Sequence, residues 1–169
     1  MKEIFLLAAL VSVLRADEIT RLVGEINGFH EQVKFGTLCK GNPTNKHRKC
    51  DSFGCGNYGA RRAGGTRKHM GLDIVCTDGD TVLAPFDVKI NGPASPYKKG
   101  VKPAINNGLN LSGQGLCFKL FYVKPVKTSG TMKKGEKLGT MLPMQKVYTG
   151  ITSHVHVQMC DKSDPTKYF

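Results

Sequence analysis

With 169 residues, 40% of them hydrophobic, the chain has enough apolar content for one domain with a packed core and too little length for two. Twenty-five basic against 13 acidic residues leave a net charge of +12, which points an exported protein towards anionic glycans, cell surfaces and acidic proteins rather than nucleic acid. Beyond the N-terminal run no apolar stretch is long enough to cross a bilayer as a helix, which argues against membrane insertion.

Lys2 precedes an apolar run from Ile4 to Leu14, too short for a membrane helix and of the right size for the apolar region of a secretory signal. Residues 1–16 are therefore expected to be a signal peptide ending near Ala16, and the mature protein to be extracellular, with storage in granules as a further destination. Six cysteines fit that route: an even number in an exported chain predicts three disulfides, with the connectivity open. Cys50 and Cys55, with Gly54 between them, are close enough for local pairing. Residues 17–38 read as an N-terminal extension or prosegment. In it Ile19, Leu22, Val23 and Ile26 recur at helical spacing and predict a short amphipathic helix.

From Gly41 to Thr66 the chain is rich in Gly, Asn, Arg and Lys without periodicity, and reads as a long loop pinned by its cysteines. Basic clusters at Lys46-His47-Arg48-Lys49, Arg61-Arg62, Arg67-Lys68, Lys98-Lys99 and Lys133-Lys134 read singly as solubilising surface and together as a weak glycosaminoglycan site. After His69 come short apolar runs split by turns: Leu72 to Cys76, Thr81 to Ala84, Val88 to Ile90, Leu109 to Leu111, Cys117 to Val123, Leu138 to Met141 and His154 to Met159. Many short strands separated by turn residues predict a mainly β domain over residues 39–169.

Two compact patterns carry the chemistry. In His69-Met70-Gly71-Leu72-Asp73 and His154-Val155-His156, residues two or four apart share one face if the segment is extended. Two such strands side by side offer two imidazoles and one carboxylate, with a further imidazole beside them. That donor set suits zinc, which takes N and O ligands tetrahedrally and keeps a fourth position for water when only three come from the protein. His69 and Asp73, with one of His154 and His156, are the expected ligands. A lone His-x3-Asp or His-x-His is weak; the two together in an exported β domain favour a metal site.

The segment His69 to Cys76, the runs Thr81-Val82-Leu83-Ala84-Pro85-Phe86 and Ala104-Ile105-Asn106-Asn107-Gly108, the turn Lys133-Lys134-Gly135-Glu136-Lys137-Leu138-Gly139-Thr140, and Ser153-His154-Val155-His156 ending at Cys160 also stand together. Over residues 36–169 they resemble the family of leukocyte cell-derived chemotaxin 2 and myeloid protein 1, itself similar to lysostaphin-type zinc metalloendopeptidases. The resemblance implies an antiparallel β-sheet groove with long disulfide-pinned loops, Zn2+ on His69, Asp73 and His156, and His154 at a former catalytic position. It also implies disulfides Cys39–Cys76, Cys50–Cys55 and Cys117–Cys160.

The peptidases carry one more histidine, in a Tyr-x-His-Leu pattern. The corresponding stretch here is Leu120-Phe121-Tyr122-Val123, and no histidine lies between His69 and His154. A phenol with a pKa near 10 is no base at neutral pH, and loss of one acid–base group typically costs about 10²–10⁴-fold. The expectation is a non-enzymatic, chemotactic cytokine-like protein acting on leukocytes, neutrophils especially, through cell-surface receptors. The alternatives are an active zinc endopeptidase of Gly-rich peptides or an antibacterial or glycan-binding module.

Overall fold

The computed structural model describes residues 15–27 and 31–169. The chain divides into a unit ending at Val33 and a second unit, Lys34–Phe169. In the first, helix α1 spans Ala16–Asn27, covering the four apolar positions that predicted it. Asp17 and Glu18 lie in its first turn, where the helix dipole favours negative charge. Glu18 also accepts the Arg15 amide at 3.2 Å. The signal-peptide reading over residues 1–16 falls, except for its last two residues, outside the described residues.

The second unit is built from strands β1 (Cys50–Asp51), β2 (Gly54–Cys55), β3 (Arg61–Arg62), β4 (Arg67–Lys68), β5 (Leu72–Val75), β6 (Thr81–Leu83) and β7 (Val88–Pro93). They are followed by β8 (Gly108–Gly113), β9 (Leu116–Phe121), β10 (Val123–Pro125), β11 (Gly130–Met132), β12 (Lys137–Met141) and β13 (His154–Met159). Six form one antiparallel sheet in the order β11-β7-β8-β9-β13-β5, and three form a second, β10-β12-β6. β1–β2 and β3–β4 are separate two-stranded ladders; β1, β2 and β3 lie inside the stretch read as loop and β4 directly follows it.

Period-two alternation explains the long strands. Leu109 and Leu111 of β8, Phe118 and Leu120 of β9, and Val155 and Val157 of β13 are fully buried, with half-buried Asn110 and Lys119 between core positions. Completely burying one Leu or Phe side chain stabilises by about 1.5–3 kcal/mol, so these pairs hold the register of the central strands. β13 departs from simple alternation. Its apolar face enters the core, yet His154 and His156 on the opposite face are buried as well. A strand buried on both faces with imidazoles on one of them needs polar partners there.

Two features differ from the sequence expectation. The run Cys117 to Val123 is not one strand: Tyr122 has φ +69°, breaking it between β9 and β10. A bulky residue in the left-handed region is rare and strained. Here the Tyr122 amide is held by the Asn107 carbonyl at 2.8 Å, and the Tyr122 carbonyl accepts the Leu142 amide at 2.8 Å. The kink lets the chain pass from the six-stranded sheet to the three-stranded one. Phe35 and Leu38, within the expected extension, are also core residues. Phe35 packs edge-on against Phe86 and Phe118 at 5.1 and 4.9 Å between centroids.

β5 is an edge strand of the large sheet, and an open edge invites pairing with other chains. The preceding loop covers it. The Val75 amide donates to the Lys46 carbonyl, Arg48 to Asp73, and Asp73 to Gly56, at 2.8–3.0 Å. Disulfides Cys39–Cys76, Cys50–Cys55 and Cys117–Cys160 tie this loop and the ends of β9 and β13 in place.

Candidate metal centre

Register brings the two motifs together. In the β13–β5 ladder His156 lies opposite Asp73, and in the β13–β9 ladder it lies opposite Phe121. The Phe121 ring stacks on the His156 imidazole at 5.6 Å with 12° between the planes, which sets the imidazole's orientation. His69 is not on β5 but in the extended segment before it, separated by Met70 and Gly71. Gly71 explains that spacing. A Cβ there would lie 2.4 Å from the Val157 carbonyl oxygen and 2.5 Å from both Cε1 and Nε2 of His156.

The inward atoms form a small triangle. His69 Nε2 lies 3.0 Å from Asp73 Oδ1 and 3.0 Å from His156 Nδ1, and His156 Nδ1 lies 2.9 Å from Asp73 Oδ1. All three residues are buried. The outer atoms of His69 and Asp73 are engaged. His69 Nδ1 faces the Asn57 carbonyl at 2.9 Å, so that nitrogen carries the hydrogen and donates. In the neutral ring Nε2 is then a lone pair aimed at the carboxylate and at His156. Two neutral imidazoles and a carboxylate converging in this way hold at most one proton for three inward donor atoms. A cation at the centre satisfies all three, so the donor set fits a metal ion. A second clustering of ligand-type residues, Cys39, Cys76 and Asp80, has no such property, because its two sulfurs are joined to each other.

Asp73 has a second set of partners on Oδ2: Arg48 Nη1 at 3.0 Å, His154 Nε2 at 3.4 Å and Arg62 Nη2 at 3.9 Å. Burial pushes the Asp73 carboxyl up, but the hydrogen bond from the His156 imidazole, first among the opposing causes, holds it well below the ordinary carboxylate range. His154 donates from Nδ1 to the Thr152 carbonyl at 2.7 Å. Burial lowers the pKa of His154 more than Asp73 raises it, favouring the neutral ring. Arg48, read in sequence as part of a surface cluster, is only 4% exposed. A buried guanidinium requires paired carboxylates, and Asp51 and Asp73 supply them.

The triangle lies in a cleft of about 400 Å³. Tyr122 is in its wall, edge-on to His154 at 5.7 Å. Its hydroxyl lies 3.1 Å from that of Tyr97, which lies 3.2 Å from that of Tyr148. Lys102 hydrogen-bonds the Tyr148 hydroxyl and sits over the Tyr97 and Tyr148 rings. Burial pushes the Tyr122 phenol up to about 12. The structure brings the expected residues His69, Asp73, His154, His156 and Tyr122 to one cleft. Sequence reading missed the part played by Arg48, Asp51, Asn57, Tyr97 and Thr152, which lie in loops or, for Asp51, in a two-residue strand, where no periodicity marks them.

The fold is that of a mainly β, lysostaphin-type peptidase-like antiparallel domain. It is similar to the Helicobacter pylori Csd3 structure, with a TM-score of 0.51, at 14% identity over 81% of this chain and 35% of that one. No family model matches. Curated relatives decide the family. The chain is 54% identical over 134 residues to the leukocyte cell-derived chemotaxin-2 of Mus musculus, covering 79% of this chain and 86% of that one. To the Bos taurus protein of the same name it is 55% identical over 131 residues, covering 78% and 84%. To myeloid protein 1 of Gallus gallus it is 51% identical over 137 residues, spanning 80% of this chain but 41% of that one. The chain belongs to the leukocyte cell-derived chemotaxin-2 and myeloid protein 1 family.

Proposed function

We propose that the chain is a secreted chemotactic protein that acts on leukocytes, neutrophils especially, through a cell-surface receptor. In this reading residues 1–16 are the signal peptide, residues 17–38 an extension, and the β domain a non-catalytic scaffold with a structural zinc on His69, Asp73 and His156. The family supports the first part through the names its members carry. Donor geometry supports zinc. Ligands about 2.0–2.1 Å from a tetrahedral zinc lie about 3.3 Å from one another, and the three donor pairs here are 2.9–3.0 Å apart. When bound, zinc would join the segment bearing His69 and Asp73 to β13 and stabilise the folded state by mass action.

The non-catalytic part rests on Tyr122, which the resemblance to the peptidases aligns with a histidine. A phenol held at about 12 and tied to Tyr97 keeps its proton at neutral pH and accepts none from water. Purified, zinc-loaded protein should draw neutrophils across a migration filter with a rising dose response; a flat response overturns the reading. Metal content by elemental analysis should be one zinc per chain, and none in His156→Ala.

A second reading has one observation in its favour. His154 stands beside the metal triangle in an accessible cleft, as an acid–base group in a zinc endopeptidase would. Chelator-sensitive cleavage of a pentaglycine substrate would establish it.

A further inference from the structure

Outside the metal ligands, one carboxylate touches both arms of the site. Asp51 lies in the tight β1–β2 hairpin closed by Cys50–Cys55. Its Oδ1 accepts Arg48 Nη2 at 2.6 Å and the Phe53 amide at 2.8 Å. Its Oδ2 accepts Arg48 Nε at 3.1 Å and the Thr152 amide at 2.9 Å. Each partner leads inward. Arg48 Nη1 donates to Asp73 Oδ2, while the Thr152 carbonyl accepts from His154, two residues before His156 on β13. Asp51 thus reaches one arm through a single guanidinium and the other through a single residue of backbone, across 101 residues of chain.

We infer that Asp51 is a positioning residue that sets the affinity of the metal centre, and this rests on His69, Asp73 and His156 being metal ligands. Two physical effects act in the same direction. The first is geometric. Metal sites tolerate ligand errors of only about 0.2 Å, and Asp51 holds the side-chain partner of one ligand together with the chain entering the strand of another. The second is electrostatic. The Nε–Nη2 fork of Arg48 faces Asp51, leaving only Nη1 for Asp73. Without the Asp51 charge, the buried guanidinium would be balanced by Asp73 alone and would compete with the cation for that carboxylate. The hairpin keeps Asp51 in place: its disulfide closes the turn, and the Gly54 carbonyl accepts Arg48 Nη2 at 2.9 Å.

The test compares unaltered protein, Asp51→Asn and Asp51→Glu. Metal-free samples are titrated with zinc against a chromophoric chelator, and with cobalt by visible absorption. Far-UV circular dichroism first establishes that the metal-free chains are folded. Loss of such an outer partner typically weakens metal binding about 10- to 100-fold. Asp51→Asn should show a loss of that size with a shifted cobalt spectrum, and Asp51→Glu should recover part of both. Affinity within about twofold of the unaltered chain and an unchanged cobalt spectrum would overturn the role of Asp51 alone. Absence of binding by the unaltered chain would remove the ligand assignment and the inference with it. If Asp51→Asn does not fold, serine at both Cys50 and Cys55 provides the second measurement: weaker zinc binding supports the inference and unchanged affinity overturns it.

Discussion

Gly71→Ala tests the close approach on which the metal triangle depends. The added methyl would sit 2.4 Å from the Val157 carbonyl oxygen and 2.5 Å from two atoms of the His156 ring, about 1 Å inside the 3.4 Å at which ordinary contact begins. Neither neighbour yields readily. Val157 is paired with Leu72 on one side and Leu120 on the other, and the His156 ring is stacked on Phe121. Overpacking of this kind costs about 1–3 kcal/mol. At about 4 °C per kcal/mol for a unit of this size, the melting temperature of the metal-free protein should fall by about 4–12 °C. The metal should suffer more, since the methyl presses on a ligand ring where about 0.2 Å matters. Scanning calorimetry with and without zinc, alongside elemental analysis, measures both effects. Gly71 does not have a left-handed backbone, so the clash is the sole reason for glycine here. A variant that melts within about 1 °C of the parent and keeps its zinc would refute the reasoning.

Three further outcomes are expected. Near-ultraviolet difference absorbance should show a phenol titrating at about 12 that disappears in Tyr122→Phe. Its folded value lies above the free value of about 10, so its stabilising contribution is complete below pH 10 and is lost as pH rises through 12. Replacing Cys39 and Cys76 by serine opens a link between residues 37 apart, whereas Cys50 and Cys55 are 5 apart. Loop entropy makes the first loss about 4 kcal/mol and the second about 2 kcal/mol, and denaturant unfolding that reversed this order would contradict the loop account. If the positive charge serves anionic glycans, retention on heparin should fall steeply with added salt. It should fall again in the exposed pair Arg67→Glu/Lys68→Glu, and retention insensitive to salt would exclude an electrostatic site.

Local signals made much of the domain legible. Alternation in β8, β9 and β13 marks the central strands, because a sheet with one face in the core needs apolar residues at every second position. The His-x3-Asp and His-x-His patterns point to the triangle of His69, Asp73 and His156 that could hold a metal ion, because donor type and spacing are themselves chemical requirements of such a set. The even cysteine number announced cross-links without saying which. What lay in loops stayed hidden. Arg48 looks like its exposed neighbours Lys46 and Lys49, and only its burial between Asp51 and Asp73 separates them. Tyr122 reads as part of a strand from Cys117 to Val123, yet contacts from Asn107 and Leu142 hold it in a left-handed turn.

The sequence by itself determined that this is a cross-linked β domain of the chemotaxin family bearing two imidazoles and a carboxylate of metal-binding type. Only the tertiary structure decided that Asp73 and His156 face each other across one ladder, that His69 lies beside His156, and that Asp51 hydrogen-bonds both Arg48 and the Thr152 amide. The contacts of His156 with Asp73 and His69, and of Asp51 with Thr152, join residues 83, 87 and 101 positions apart. Strand periodicity fixes which face a side chain takes, and packing and register decide which other chain segment it meets there.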